Sequence, residues 1–206
     1  MKSLAQGMKN PTVAHMNDLK RLGRYLLYRP NLKLRYKQQK LSDHIRISVD
    51  SDHATDRTTR KSTTGMVMRL GQHAVRSSSN LQSAIGLNVS EAEFYALVQG
   101  SAHGLGMQAF LRDLGLSVNI IVESDSNSAK SFASRKGLGK QRHVQTRFLW
   151  IQERIALGHF QIRKVGTEDN VSDILTKSMP AKTLEKHLAT LGYVHSEKSH
   201  LHKTVL

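Results

Sequence analysis

The sequence contains no cysteine, few aromatic residues and no long apolar run. The absence of cysteine excludes disulfide bonds, thiolate metal sites and cysteine catalysis, and it fits a reducing compartment. No apolar stretch approaches the roughly 20 residues that a membrane-spanning helix needs. The N-terminal residues also lack the apolar core of a signal peptide. We therefore expect a soluble, intracellular protein, with no distinction between cytoplasm and nucleus.

Acidic residues are scarce as well. The 206 residues include 16 Asp and Glu against 31 Lys and Arg, which gives a formal net charge of +15. Such an excess is typical of proteins that bind polyanions such as DNA or RNA, although a basic surface without a ligand is the alternative. A hydrophobic fraction of 38% is enough for a globular core. The length allows one substantial domain and a smaller appendage.

Residues 1–43 are predicted to form a basic helical segment. Asn10 followed by Pro11 indicates a helix start, and the helix should end before Pro30. The segment is too short for a domain of its own, so we interpret it as a basic arm or as the tail of something larger. Apolar residues recur at helical spacing over about four turns, namely Val13, Met16, Leu19, Leu22 and Leu26.

Residues 44–193 are predicted to form an α/β domain. Alternating apolar residues predict strands at 44–50, 63–70 and 73–79, and their short connections favour an antiparallel meander. A mixed sheet with helices on its faces is the architecture that this order of elements favours. Residues 194–206 are predicted to be a disordered tail. The later elements are a helix from Ser90, a buried strand at 118–122, a short helix at 126–133, a helix ending at Gly158, a strand at 159–165 and two C-terminal helices.

Four acids occupy strand ends and helices in this scheme. Asp50 ends the first strand and Asp125 follows the strand at 118–122, so parallel neighbouring strands would open both into one crevice. Glu93 borders the apolar stripe of its helix, and Asp173 on a C-terminal helix can close the fourth side. Four converging carboxylates repel one another unless cations lie between them. Their hard oxygens suit Mg²⁺ or Mn²⁺, and two such ions about 4 Å apart can drive phosphodiester hydrolysis.

Each acid has a structural alternative. Asp50 can be a turn residue, and Asp125 can cap the helix that follows it. Glu93 lies three residues after Ser90, which is the spacing of a capping box. These alternatives stay open for each acid taken singly.

Two further acids are interpreted as structural. Glu91 lies in the first turn of its helix, where it would act as a helix-dipole or capping acid rather than as a ligand. Asp169 or Asn170 is predicted to cap the helix that carries Asp173, and Asp169 is the favoured candidate. This interpretation leaves Asp173 as the acid available to the site.

Six motifs follow one another between residues 44 and 178. They are Asp-Ser-Asp at 50–52, Arg-Lys-Ser-Thr at 60–63, Ser-Glu-Ala-Glu-Phe-Tyr-Ala-Leu at 90–97, Ser-Asp-Ser-Asn-Ser-Ala at 124–129, Arg-His at 142–143 with Leu-Trp-Ile-Gln-Glu at 149–153, and Asn-Val-Ser-Asp-Ile-Leu-Thr-Lys at 170–177. In order and spacing they resemble the ribonuclease H domain that ends the Pol polyprotein of copia-type retrotransposons. Residues 10–30 are similar to the segment that links the reverse transcriptase of this family to that domain.

The resemblance implies a ribonuclease H-like fold, with a mixed sheet of three antiparallel and then two parallel strands. It also implies an endonuclease that hydrolyses the RNA strand of RNA–DNA hybrids during reverse transcription, with water as the nucleophile. Asp50, Glu93, Asp125 and Asp173 would be both the catalytic acids and the ligands of two Mg²⁺ or Mn²⁺ ions. The implied partners are the hybrid and the reverse transcriptase portion of the same polyprotein, without a membrane or a small-molecule cofactor.

The hybrid would be held by its backbone, because this activity needs shape rather than base sequence. An alternative function is that of a catalytically decayed retrotransposon remnant, which would act at most as a nucleic-acid-binding module. For His143, a structural role at a helix end is a further alternative. The candidate substrate-binding residues are Arg60, Lys61, Asn127, Arg142, His143 and Arg147.

Overall fold

The computed structural model describes residues 2–56, 58–139 and 142–195. They divide into two compact units: residues up to 36 together with those from 192 onward, and the segment Lys37–Leu191. Of the predicted tail at 194–206, residues 196–206 lie outside the described residues.

The smaller unit contains two helices and two short strands. Helix α1 (Lys2–Gly7) precedes α2 (Val13–Tyr28), and strand β1 (Leu32–Leu34) pairs antiparallel with β7 (Tyr193–His195). The prediction that α2 starts at Asn10 is wrong, because Thr12 is its cap. The Thr12 hydroxyl accepts from the backbone N–H of His15 at 3.3 Å, and His15 Nδ1 accepts from that of Thr12 at 3.2 Å.

The larger unit carries the remaining elements. Short 3₁₀ helices also occur at Thr146–Phe148, Thr167–Asp169 and Val171–Leu175. The strands and α-helices are β2 (His44–Asp52), β3 (Thr63–Leu70), β4 (His73–Leu81), α3 (Val89–Asp113), β5 (Asn119–Ser124), α4 (Asn127–Ser134), α5 (Trp150–Ala156), β6 (Gln161–Lys164) and α6 (Ala181–Thr190).

One sheet of the order β4-β3-β2-β5-β6 organises the larger unit. Strands β2, β3 and β4 are antiparallel, whereas β5 is parallel to both β2 and β6. The predicted α/β fold, with a five-stranded mixed sheet flanked by helices, is therefore confirmed. The parallel pairing of β2 with β5 matters most here, because it turns the ends of both strands toward the same edge.

Helix α3 packs directly on the centre of the sheet. It runs unbroken for 25 residues and begins at Val89, one residue before the predicted start at Ser90. Its close approach depends on Gly100 and Gly104: a Cβ at these positions would lie 2.5 Å from Val49 Cγ1 and from Ile47 Cδ1 respectively. None of the described helices, α3 included, combines the length and apolarity needed to cross a membrane.

The compact unit begins and ends a few residues away from the predicted borders of 44 and 193. At its start, the Gln39 amide donates to the Leu70 carbonyl at 2.9 Å and accepts from the Gln72 N–H at 2.9 Å. Its last residue is Leu191, and residues 194 and 195, predicted as tail, belong to the smaller unit, where they pair with β1. The assignment of separate roles to 1–43 and 44–193 stays a prediction.

Candidate active site

Asp50 and Asp125 lie at the ends of two neighbouring parallel strands. Asp50 is fully buried near the end of β2, and Asp125 directly follows β5. The alternative role of Asp125 as a helix cap is wrong, because Ser126 caps α4 through a 3.2 Å hydrogen bond from the Ala129 N–H. Asp125 is thus available for the site.

Glu93 reaches the same place from α3. The capping-box interpretation of Ser90 and Glu93 is wrong, because Asn88 caps the helix by accepting from the Glu91 N–H at 2.9 Å. The helix consequently starts at Val89, and Glu93 belongs to its second turn. Glu93 Oε1 accepts from the Ser51 N–H at 3.2 Å, and Oε2 is buried without a hydrogen-bond partner.

The side chains of Asp50, Glu93 and Asp125 converge. One oxygen from each carboxylate lies within 4.8 Å of the others, a spacing that can hold a metal ion. A buried carboxylate oxygen without a partner, such as Glu93 Oε2, is costly unless a cation contacts it. The residues present therefore fit a divalent cation with oxygen ligands. The surrounding cleft of about 590 Å³ is lined by Asp50, Ser51, Asp52, His53, Val89, Glu93, Asp125, Ser126 and Lys177.

Asp173 approaches from the C-terminal side, on the 3₁₀ helix Val171–Leu175 rather than on the predicted α-helix. The cap is Asn170 and not Asp169, which instead accepts from Lys186 Nζ at 2.7 Å. The buried Asn170 amide donates to the Val49 carbonyl at 2.9 Å, while its oxygen accepts from the Ser172 hydroxyl at 2.6 Å. Asn170 thus fastens the segment that carries Asp173 to the strand that carries Asp50.

The same segment also packs closely on β3. A Cβ at Gly65, the pairing partner of Asp50, would lie 2.8 Å from the Ser172 carbonyl oxygen and 2.7 Å from Thr176 Cγ2. The Ser79 hydroxyl donates to the Leu175 carbonyl at 2.8 Å. The absence of a side chain at Gly65 therefore lets the segment that carries Asp173 pack against β3.

Two further residues of the site, Thr176 and Lys177, belong to the motif at 170–177, but the sequence did not predict a role for them. Lys177 Nζ donates to Asp50 Oδ1 at 3.1 Å and to Asp173 Oδ2 at 3.3 Å. The Thr176 hydroxyl donates to Asp50 Oδ2. The four-residue spacing of Asp173 and Lys177 was a visible signal for their contact. No local pattern indicated the contacts to Asp50, more than 120 positions earlier.

The electrostatics follow from burial and like charge. Burial, together with the charges of Asp50 and Asp125, raises the pKa of Glu93 to about 8. Burial and the charge of Asp50 likewise raise the pKa of Asp173 to about 6. Burial opposes the charge of Lys177, yet the neighbouring Asp50 and Asp173 raise the pKa of its ammonium. Without a divalent cation, Glu93 therefore keeps a proton near neutral pH, because its carboxyl is buried beside Asp50 and Asp125 while the Lys177 ammonium contacts Asp50 and Asp173.

The raised pKa of Glu93 predicts a pH-dependent stability in the absence of divalent cations. Between its ordinary value of 4.5 and about 8, the folded protein keeps a proton that the unfolded chain releases, so stability falls as pH rises through this window. Thermal melts in EDTA from pH 5 to 8 should show this fall. In Glu93→Gln the melting temperature should fall less over the same range, because the contribution of Glu93 is absent. The exposed control Glu153→Gln should keep the wild-type profile. Parallel profiles for wild type and Glu93→Gln would contradict the prediction.

The predicted substrate-binding residues do not line the cleft. His143 Nε2 contacts Glu91 Oε2 at 2.8 Å in a turn before the 3₁₀ helix Thr146–Phe148, so it does not open a helix. Glu91 is buried and also accepts from the Tyr95 hydroxyl, which makes it more than a capping acid. Arg147 lies over the Phe148 ring at 4.8 Å. Arg60, Asn127 and Arg142 are exposed, and Lys61 is half-buried.

Hydrogen bonds fix the Glu91–His143 contact within the larger unit. Although burial works against the charged form, hydrogen bonds from Tyr95 and His143 lower the pKa of Glu91. The Leu87 N–H donates to the same carboxylate at 3.0 Å. This arrangement ties the 142–145 turn to the start of α3. A substrate contact by His143 stays a prediction.

The chain is similar in sequence to Pol polyproteins of transposons. No protein-family model matches it. It is 30% identical over 138 residues, 66% of its length, to the retrovirus-related Pol polyprotein from transposon TNT 1-94 of Nicotiana tabacum. It is 26% identical over 193 residues, 92% of its length, to that from transposon RE1 of Arabidopsis thaliana. The matched regions cover only 10% and 13% of these relatives.

The solved structures that the chain matches include ribonucleases H. LC11-RNase H1, isolated from compost, is 16% identical with a TM-score of 0.46, and the match covers 71% of this chain and 99% of that one. The same protein has been solved in complex with an RNA/DNA hybrid, with a TM-score of 0.43, 15% identity, and coverage of 68% of this chain and 99% of that one.

Proposed function

We propose that Lys37–Leu191 is a ribonuclease H-type endonuclease, on the premise that the chain is a homologue of the retrovirus-related Pol polyproteins of transposons. Its substrate is the RNA strand of RNA–DNA hybrids formed during reverse transcription, in a copia-type element. The observation that carries the proposal is the convergence of Asp50, Glu93 and Asp125 at the end of two parallel strands, with Asp173 joined to Asp50 through Lys177.

We assign these four acids as catalytic residues and metal ligands. Their oxygens suit Mg²⁺ or Mn²⁺, and the resemblance implies two ions. Bound ions would supply an activated water and a stabilised leaving oxygen for phosphodiester hydrolysis. The protein's part is to hold the carboxylates in place before the substrate arrives. The Ser51 N–H fixes Glu93, and the Thr176 hydroxyl fixes Asp50.

The basic surface supports binding of the hybrid. A net charge of +15 favours a polyanionic ligand, and phosphate contacts position a nucleic acid without reading its bases. We propose that Arg60, Lys61, Arg142 and Arg147, with Asn127 and His143, contribute such contacts outside the cleft.

The relatives also suggest that the nuclease is part of a larger polyprotein. The relatives are Pol polyproteins roughly eight to ten times the matched length, and we propose that the reverse transcriptase portion of the same polyprotein is a partner. Residues 1–43 would then be the connection to it. Hybrids of reverse transcription arise inside cells, which sets the compartment without separating cytoplasm from nucleus.

Cleavage of a labelled RNA–DNA hybrid tests the proposed function. In Mg²⁺ or Mn²⁺, we expect RNA fragments with 3′-hydroxyl and 5′-phosphate ends, whereas excess EDTA should abolish cleavage because it removes the ions that would activate the attacking water. Duplex DNA and single-stranded RNA of the same sequence are the matched controls. Binding of the hybrid without cleavage would instead support the decayed nucleic-acid-binding module, and cleavage of duplex DNA would support a DNA-directed nuclease.

A further inference from the structure

The Lys177 ammonium contacts two of the four acids. Its ammonium nitrogen lies 3.1 Å from Asp50 Oδ1 and 3.3 Å from Asp173 Oδ2, so it bridges the two carboxylates. A divalent ion shared by these oxygens would need to approach each to about 2.1 Å. That ion and the ammonium cannot both occupy the space between Asp50 and Asp173.

The other side of the acidic cluster is open to a cation. Asp50, Glu93 and Asp125 converge there without Asp173, and Glu93 Oε2 is buried with no hydrogen-bond partner. Lys177 makes no hydrogen bond to Glu93 or Asp125. The two halves of the site therefore differ. The Asp50–Asp173 pair already contacts the Lys177 ammonium, whereas the Asp50, Glu93 and Asp125 cluster has no such contact through Glu93 or Asp125.

We propose that the Lys177 ammonium fills the cation position between Asp50 and Asp173, and that a second divalent ion enters only by displacing it. The inference rests on the proposed function, because it assumes that these carboxylates hold divalent ions. The first ion binds at Asp50, Glu93 and Asp125. The second binds more weakly, because it must replace a lysine that is already paired with two carboxylates.

The placement of Lys177 suits a displaceable cation. Its side chain is 40% exposed, and it follows the last residues of the 3₁₀ helix Val171–Leu175 rather than lying inside a long element. The flexible four-carbon stem can carry the ammonium out of the site without moving the backbone. Asp173 Oδ1, which is buried without a partner, is then free to contact the incoming ion together with Oδ2.

Titration with Mn²⁺ in the absence of nucleic acid tests the proposal on the whole chain. In wild type, paramagnetic resonance of free Mn²⁺ should reveal one ion bound at least about tenfold more tightly than a second. In Lys177→Met, the second ion should bind about tenfold or more tightly than in wild type. Lys164→Met is the matched control, because Lys164 donates to the Asp125 backbone carbonyl and to no carboxylate of the site.

Two further measurements keep the outcomes separate. Circular dichroism verifies the fold of Lys177→Met, and Lys177→Gln replaces it if the methionine variant does not fold. Unchanged second-ion affinity in the folded variant would overturn the proposal, as would two equivalent ions in wild type. Hybrid cleavage by wild type is assayed separately, so a protein that binds Mn²⁺ as expected but does not cleave would refute the proposed function alone.

Discussion

Asp125→Asn should reduce cleavage of the RNA strand by at least about a thousandfold in Mg²⁺. The substitution keeps the shape of the side chain but removes one of three carboxylate charges within 4.8 Å of one another. Asp125 is only half-buried and does not cap α4, so the fold should persist. The measurement is the single-turnover rate of hybrid cleavage, with circular dichroism as the check on folding.

Asp113→Asn is the control for this substitution. It makes the same change of charge at an exposed position, at the far end of the helix that carries Glu93. Its cleavage rate should stay within about twofold of wild type, because exposed charges so far away are screened. Retention of substantial activity by a folded Asp125→Asn protein would remove Asp125 from the catalytic assignment.

Gly65→Ala should lower the free energy of unfolding by about 1–3 kcal/mol. The new Cβ would lie 2.8 Å from the Ser172 carbonyl oxygen, and a backbone atom cannot move aside as a flexible side chain can. The segment carrying Asp173 must therefore shift away from β3. We also expect cleavage to fall, because displacement of a catalytic group by about 1 Å costs on the order of a hundredfold.

Gly106→Ala is the matched control, since nothing lies within 4 Å of a Cβ built there, on α3. In a helix interior, alanine is favoured over glycine by about 0.5–1 kcal/mol, so this variant should be slightly more stable. Urea unfolding of both variants measures the effect. Equal stability of Gly65→Ala and wild type would show that the 170–177 segment does not pack on β3 as described.

The sheet and the first two acids of the site could be predicted because their signals are local. Alternating apolar residues predict strands β2 to β4. Parallel pairing of β2 with β5 then brings Asp50 and Asp125 to the same edge of the sheet, independently of the conformation of the loops. Glu93 was predicted correctly as a residue facing the sheet, although the capping-box spacing pointed elsewhere. The cap at Asn88, two residues before Ser90, decides between these interpretations, because it places Glu93 beyond the first turn of the helix.

The C-terminal side of the site could not be predicted in the same way. Asp173 was expected on an α-helix, whereas the segment forms a 3₁₀ helix held by the Asn170 amide on Val49. That hydrogen bond joins positions 121 residues apart, and its partner is a backbone carbonyl that carries no sequence signal. The contact of Lys177 with Asp50 is equally remote. Both depend on tertiary packing that periodicity does not encode.

The pairing of β1 with β7 sets where a shortened form of the protein should stop. The three residue pairs join Leu32 to His195, Lys33 to Val194 and Leu34 to Tyr193. A truncated chain ending at residue 193, the border that composition suggested, would keep only the last of these pairs. The backbone groups of residues 32 and 33 would then become an open strand edge, which invites association between copies. A shortened protein that extends through residue 195 keeps all three residue pairs between β1 and β7.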